Sequence, residues 1–251
     1  MPSRSGRVAV VTGGASGMGE AICHELGRRG HRVAVLDLNA DAAARVAGEL
    51  RDEGVEAIAV TVDVAERPQV EAAFATVREK LGPVGILVTS AGLFGYASFA
   101  EITVAHWQRI VEVNLTGTFH CCQVGLPDMV EAGWGRIVMI SSSSAQRGTP
   151  FAAHYAASKG ALLTLTKSLA REYAANGITV NNIPPSGIET PMQHASQAAG
   201  YLPSNEQIAA HIPVGHLGTP EDIAAAVGFL CSDQAGFITR QVLGVNGGSV
   251  M

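Results

Sequence analysis

The chain has 251 residues, of which 47% are hydrophobic and only 16% charged, and its formal net charge is −5. That length supports one large α/β domain or two small ones with a sizeable core, and the composition excludes a disordered chain. The acidic balance and scattered basic residues offer no footprint for nucleic acid or an anionic membrane surface, and no apolar run approaches the roughly 18 residues of a membrane span.

In chain order, short β-branched runs alternate with longer helical patterns. The runs are RVAVVT (7–12), RVAVLD (32–37), AIAVTVD (57–63), GILVTS (85–90), RIVMIS (136–141), ITVNNI (178–183) and QVLGVN (241–246). Nearly continuous apolar strands suit a sheet covered on both faces, hence a parallel one. Amphipathic segments lie between them near 18–29, 41–53, 67–81, 103–132, 155–175 and 219–231. Thr219-Pro220 followed by Glu221-Asp222 predicts a helix start, with a cap, a first-turn proline and first-turn acids. No linker or repeat divides the chain. The expected fold is therefore a single Rossmann-type domain over 1–251, with a doubly wound parallel seven-stranded sheet and helices on both faces. Residues 186–212 lack strand periodicity and hold only a weak helix near 205–211, so they are expected to form a loop over the substrate.

The four cysteines, Cys23, Cys121, Cys122 and Cys231, have neither CxxC nor metal-like spacing. They are expected to be small core residues, with no metal bound. A reducing compartment, the cytoplasm, follows from that usage and from an N-terminal apolar run too short for a signal peptide.

The first strand runs straight into TGGASGMGE, which places Gly13, Gly17 and Gly19 ahead of a helix. Glycine lets the backbone turn and approach a ligand closely, and the helix N-terminus presents free N–H groups to an anion. Ser16 and Met18 complete the loop. Asp37 ends the second strand, near the ~20 residues beyond the glycines expected of a carboxylate gripping a ribose diol. A carboxylate there repels a 2′-phosphate, and Leu38, Asn39 and Ser16 supply no cation. NAD(H) is predicted over NADP(H).

Tyr155 and Lys159, four apart in HYAASKGALL, share one helix face. A free phenol titrates near 10, too high for a base at neutral pH, and a fixed cation beside it favours the phenolate. A tyrosine so tuned exchanges a proton with an alcohol or carbonyl. The hydroxyls of ISSSS (140–144) end a strand, where sites form in such sheets.

TGGASGMG, TSAG at 89–92, Asn114, the ISS run and YAASK, in that order, resemble the short-chain dehydrogenase/reductase family over essentially the whole chain. The resemblance implies Tyr155 as general acid/base, Lys159 as the group that lowers its pKa and binds the nicotinamide ribose, Ser142 as the residue orienting substrate and Asn114 as holding a relay water. Ser142 is chosen over Ser141, Ser143 and Ser144 because its spacing to Tyr155 matches the family's; the other three are read as structural hydroxyls. Asp63 and Val64 match an adenine-contacting pair, Ser90, Ala91 and Gly92 a close cofactor approach, and Pro185, Ile188 and Thr190 the region that meets the nicotinamide carboxamide. Two departures stand out. The usual NNAG reads Thr89-Ser90-Ala91-Gly92, so hydroxyls must brace the central strand, and the usual proline–glycine reads Pro185-Ser186, with Gly187 one place later.

The implied reaction is reversible hydride transfer between NAD(H) and a secondary alcohol or ketone. The chain is similar to 3-oxoacyl-thioester reductases and cyclic hydroxyacyl-CoA dehydrogenases. Leu93, Phe94, Tyr96 and Phe151 are candidate pocket walls. The alternatives are a non-catalytic dinucleotide-binding sensor or scaffold, and a sugar-nucleotide epimerase or dehydratase. A homotetramer acting on a small molecule is expected, with no nucleic acid or membrane partner.

Overall fold

The computed structural model of the protein describes residues 6–250. Six strands form one parallel sheet: β1 (Val8–Thr12), β2 (Arg32–Asp37), β3 (Ala57–Thr61), β4 (Val84–Thr89), β5 (Gly135–Ile140) and β6 (Ile178–Ile183). Their spatial order is β3-β2-β1-β4-β5-β6. The helices are α1 (Gly17–Arg28), α2 (Ala40–Asp52), α3 (Arg67–Lys80), α4 (Val104–Val111), α5 (Gly117–Ala132), α6 (Ser144–Arg147), α7 (Ala153–Tyr173), α8 (Pro191–Ala198), α9 (Asn205–Ala209) and α10 (Pro220–Leu230). Among the described residues no helix is long and apolar enough to cross a membrane.

The period-2 pleat explains why the strand sequences are apolar without alternation. Ala9 and Val11 face one core with Leu26 of α1, Val46 of α2 and Val227 of α10. Val8 and Val10 face the other, with Phe74 of α3, Met129 of α5 and Ala170 of α7. Strands β1, β4, β5 and β6 are buried at every position, whereas edge strand β3 alternates between buried and open. Each fully buried leucine or phenylalanine, such as Leu26, Leu50 or Phe74, contributes roughly 1.5–3 kcal/mol. All four cysteines are buried and free. Desolvation pushes their thiols up, those of Cys122 and Cys231 to about 12, which leaves them inert.

Three expectations are corrected. The seventh strand does not form: residues 241–246 run parallel to β6 but make a single bridge, between Asn182 and Val242. Before it, side chains supplement the main-chain bond from Arg240 N–H to the Val180 carbonyl. Asn181 donates through Nδ2 to the Ile238 carbonyl and accepts at Oδ1 from Gln241 N–H, and Val180 N–H donates to Thr239 Oγ1. The long helix expected over 103–132 is two, α4 and α5, joined by a π turn at Glu112–Thr116. The region 186–212 contains a helix that its composition hid, α8, with Thr190 Oγ1 accepting from Gln193 N–H and Pro191 in the first turn. That is the signal read at Thr219-Pro220, where α10 does start with a capping box.

Strands β1 and β4 are neighbours in space but not in sequence, so the chain winds away from them in opposite directions. A crevice opens at such a switch point, beyond the C-terminal ends Thr12 and Thr89.

Candidate active site

The floor of the crevice is built from glycine. Gly13 lies at φ 65°, and a Cβ there would come 2.8 Å from the Ala91 backbone; one on Gly19 would come 2.0 Å from the Gly13 carbonyl oxygen. Ser16 precedes α1 but its side chain makes no capping bond, so the first-turn N–H groups of Gly17, Met18 and Gly19 are left for an anion. These residues, together with Asp37 and Leu38 from the end of β2, border a cavity of about 270 Å³. Ser90, Ala91 and Gly92 after β4, and Asp63 and Val64 after β3, complete its walls. Asp37 Oδ2 accepts from Ala15 N–H at 3.1 Å and Oδ1 from Asn39 N–H at 3.0 Å. Each carboxylate oxygen keeps a further lone pair for a hydroxyl donor. A nicotinamide dinucleotide fits this donor set: helix N–H groups for a pyrophosphate, a carboxylate for a ribose diol, and no Cβ where the backbone must be approached.

Substituting Gly19→Ala should therefore remove detectable NADH binding and destabilise the fold by about 1–3 kcal/mol. NADH fluorescence titration with a urea melt reads both; wild-type affinity in this variant would contradict the cradle.

One wall of this cavity was not legible in the sequence. Arg109 of α4 lines it, with Nη2 3.0 Å from Asp63 Oδ2. The contact spans 46 residues and has no local signature. Arg45, whose Nη2 reaches the Ala15 carbonyl, is paired through Nη1 with Glu20 and Glu49.

A second cavity, of about 210 Å³, brings together residues expected to react. Ser142 and Tyr155 both line it, and Met18, Thr190 and Met192 form a wall common to the two cavities. Burial pushes the Tyr155 phenol above its ordinary value, and the neighbouring Ser142 hydroxyl offsets part of that rise. The Tyr155 ring packs edge-on against Phe94, with centroids 5.0 Å apart. Ser142 Oγ accepts from Ser144 N–H at 3.1 Å. Its neighbours are engaged elsewhere: Ser141 Oγ donates to Asn182 Oδ1, and Ser144 Oγ accepts from Thr149.

Lys159 is placed differently from the simple expectation. It lines neither cavity, is 4% exposed, and donates from Nζ to the Ile140 carbonyl at 3.0 Å. Nζ lies 6.0 Å from the Tyr155 ring centroid, and desolvation lowers its pKa to about 8. Burial, rather than the cation, governs the direction in which Tyr155 is shifted. Asn114 sits in the π turn, fully buried, with Oδ1 accepting from Leu93 N–H at 2.7 Å and Nδ2 donating to Leu93 O and Ser158 Oγ. Its side chain is thus spent on positioning the loop after β4. Gly92 fills the space between the two: a Cβ there would lie 3.2 Å from Lys159 Nζ and 3.3 Å from Asn114 Oδ1.

The hydroxyls expected to replace the missing amides do so only in part. Thr89 Oγ1 is buried without a partner among the described residues, and it is Thr12 Oγ1 that accepts from Ala91 N–H. Pro185 and Ile188 line the second cavity rather than the first; Ile188 pairs with Gly218 through its backbone, and Thr190 reaches both cavities. Of the candidate pocket walls, Leu93 lines the first cavity and Phe94 the second. Tyr96 instead stacks between Phe151 and Tyr201, at 5.3 and 4.5 Å, outside both linings. Gln193, Ser196 and Leu202 from the 186–212 region complete the second cavity, as does Arg147 of α6; none was singled out from sequence.

Residues 13–249 match the family profile described as enoyl-(acyl carrier protein) reductase. The chain is 41% identical to an acetoacetyl-CoA reductase of Rhizobium meliloti, over 96% of this chain and 98% of that one. It is 40% identical to a cis-4-hydroxycyclohexanecarboxylate dehydrogenase of Sinomonas cyclohexanicum, over 96% of each. The crystal structure of an actinorhodin polyketide ketoreductase variant with NADPH superimposes with a TM-score of 0.93 at 38% identity, covering 97% of both chains.

Proposed function

This chain belongs to the short-chain dehydrogenase/reductase family, oxidoreductases of CH–OH and ketone groups, and from that premise we propose that it interconverts a secondary alcohol and a ketone with NAD(H). The observation that carries the reading is Tyr155, which lines with Ser142 a cavity that shares a wall with the dinucleotide cradle. When bound, the nicotinamide supplies or accepts the hydride.

The chain's own residues do the rest. Tyr155 carries the proton: a phenol kept neutral by burial is in the correct state to donate to a carbonyl oxygen, and in the alcohol direction it must first release that proton. Ser142 Oγ holds the substrate oxygen next to the phenol, and Asn114 fixes the Leu93 loop against which both cavities form. Lys159 acts as a buried cation below the ring, and Gly92 allows a ribose to come near its Nζ. Gly13, Ser16, Gly17, Met18 and Gly19 cradle the pyrophosphate. Asp63, Val64, Ser90 and Ala91 flank the nucleoside, and Pro185, Ile188 and Thr190 border its nicotinamide end. Residues 186–212, with α8 and α9, act as a cover over the substrate.

NAD is the favoured cofactor because Asp37 and Asp63 carry the charge of the cradle and its one lining cation, Arg109, is already paired with Asp63. A 2′-phosphate beside Asp37 would add like charge at close range. The NADPH of the actinorhodin relative is a property of that protein. The substrate class favoured by the relatives is an oxoacyl or hydroxyacyl thioester or a cyclic hydroxy acid. Val104, Trp107 and Phe119 leave apolar area exposed on α4 and α5, which supports a homotetramer built on those helices.

A panel of secondary alcohols and hydroxyacyl-CoA esters, followed by absorbance of the reduced cofactor, tests the function. At least one member should turn over, with kcat/KM about tenfold or more higher for NAD+ than for NADP+. The variant Asp37→Asn should narrow that ratio. A clear NADP+ preference in the wild type would sink the cofactor assignment, and NADH binding without turnover of any alcohol would favour a dinucleotide sensor.

A further inference from the structure

The second cavity contains one charged side chain, and the proton-transfer chemistry does not use it. Among its lining residues only Arg147 is ionised; the others are apolar, such as Phe94, Ile188 and Leu202, or neutral polar. The Arg147 guanidinium makes no hydrogen bond or ion pair with any other described residue. Arg109, the cation of the neighbouring cavity, is by contrast already held by Asp63. The whole molecule is acidic, with a net charge of −5, so a general positive field does not account for a cation at this mouth.

Its anchoring is local and firm. The helix α6 that carries it begins immediately after the reacting serine: Ser144 N–H donates to Ser142 Oγ, and Arg147 N–H donates to the Ser143 carbonyl at 3.1 Å. Within α6, three helical steps separate Ser144 from Arg147, about 4.5 Å along the axis. Arg147 lines the cavity and is exposed, so its charge stays hydrated at the rim. A planar fork with no side-chain partner among the described residues, lining the same cavity as Ser142 and Tyr155, is suited to an oxyanion group on the far end of the substrate.

We propose that Arg147 is a specificity-determining residue that binds an anionic group of the substrate, a carboxylate, sulfonate or phosphate separated from the reacting carbon by a short spacer. The proposal rests on the alcohol–ketone oxidoreductase reading and names the class of ketone that reading takes.

Two matched pairs test it with NADH as reductant. One is 4-oxocyclohexanecarboxylate against its methyl ester. The other is acetoacetyl-CoA against the N-acetylcysteamine thioester of acetoacetate, which lacks the phosphates. The wild type should prefer the anionic member of one pair by about tenfold or more in kcat/KM, which also tells a carboxylate from a phosphate. Arg147→Gln should collapse that ratio through KM, and Arg147→Lys should restore part of it. A preference that survives Arg147→Gln, or a wild type with no preference in either pair, overturns the proposal. Calorimetric titration of the enzyme–NADH complex with cyclohexanecarboxylate and with coenzyme A reads the same contact without turnover. If neither ketone is reduced but one of these anions binds about tenfold more weakly to Arg147→Gln, the anion site stands and only the substrate reading fails. Equal affinities of wild type and variant for both anions would refute the site.

Discussion

Replacing Tyr155 by phenylalanine should lower kcat by a factor of about 10² to 10⁴ while NADH still binds. The substitution removes one oxygen and keeps the ring, whose edge-on contact with Phe94 holds the loop after β4 in place. Loss of the phenol oxygen beside Ser142 costs at most about 1 kcal/mol of stability, too little to unfold a core of this size. The cradle of Gly13, Gly17 and Gly19 belongs to the other cavity and should be undisturbed. Stopped turnover with intact cofactor binding thus isolates proton transfer from assembly. Near-wild-type turnover in Tyr155→Phe would remove the phenol from the chemistry and transfer the burden to Ser142.

Replacing Lys159 by methionine should have opposite effects on activity and stability. Turnover should be nearly lost, because the cation beneath the phenol and beside the ribose position is gone. Stability at neutral pH should instead rise. Desolvation lowers the Lys159 pKa from 10.5 to about 8, so below pH 8 the folded protein carries an ammonium that it disfavours by about 3 kcal/mol. Methionine has similar reach and no charge; subtracting about 1 kcal/mol for the bond lost to the Ile140 carbonyl leaves a gain of about 2 kcal/mol. The sign follows from proton counting. Between pH 8 and 10.5 the unfolded chain binds more protons at this lysine than the folded one, so wild-type stability rises with pH there. The advantage of Lys159→Met should therefore be full below pH 8 and shrink as pH climbs toward 10.5. Urea melts of both proteins at pH 7 and pH 10 measure it; at pH 7 the melting temperature should rise by roughly 4–8 °C. A variant less stable than wild type at both pH values would show that the ammonium is better satisfied than its single carbonyl contact implies.

The two variants together describe a site that costs stability for function. Burial holds the phenol neutral and the amine strained, and among the described residues the Ile140 carbonyl alone offsets the amine's desolvation. Thr89 adds a second local deficit, a buried hydroxyl without a partner among the described residues. Both lie at the C-terminal ends of central strands, Thr89 at the end of β4 and Lys159 against the end of β5.

Read alone, the amino-acid sequence determined whatever depends on neighbours along the chain. The six buried runs became β1 to β6 because side-chain alternation and β-branching act over two or three residues. The glycine spacing before α1, Asp37 at the end of β2 and the four-residue step from Tyr155 to Lys159 are likewise local, and each predicted the right element. Tertiary structure decided what depends on which segments meet. The stretch 241–246 has strand composition, yet it meets β6 at one bridge, with the Asn181 and Thr239 side chains bonding the backbone just before it. The π turn that buries Asn114 against Leu93, the pairing of Arg109 with Asp63, and the Ile140 carbonyl that receives Lys159 all join residues 19 to 46 apart. Periodicity records which face of an element is apolar. Which polar group lies opposite it is set only when the chain closes, and that choice fixed the charge of each cavity.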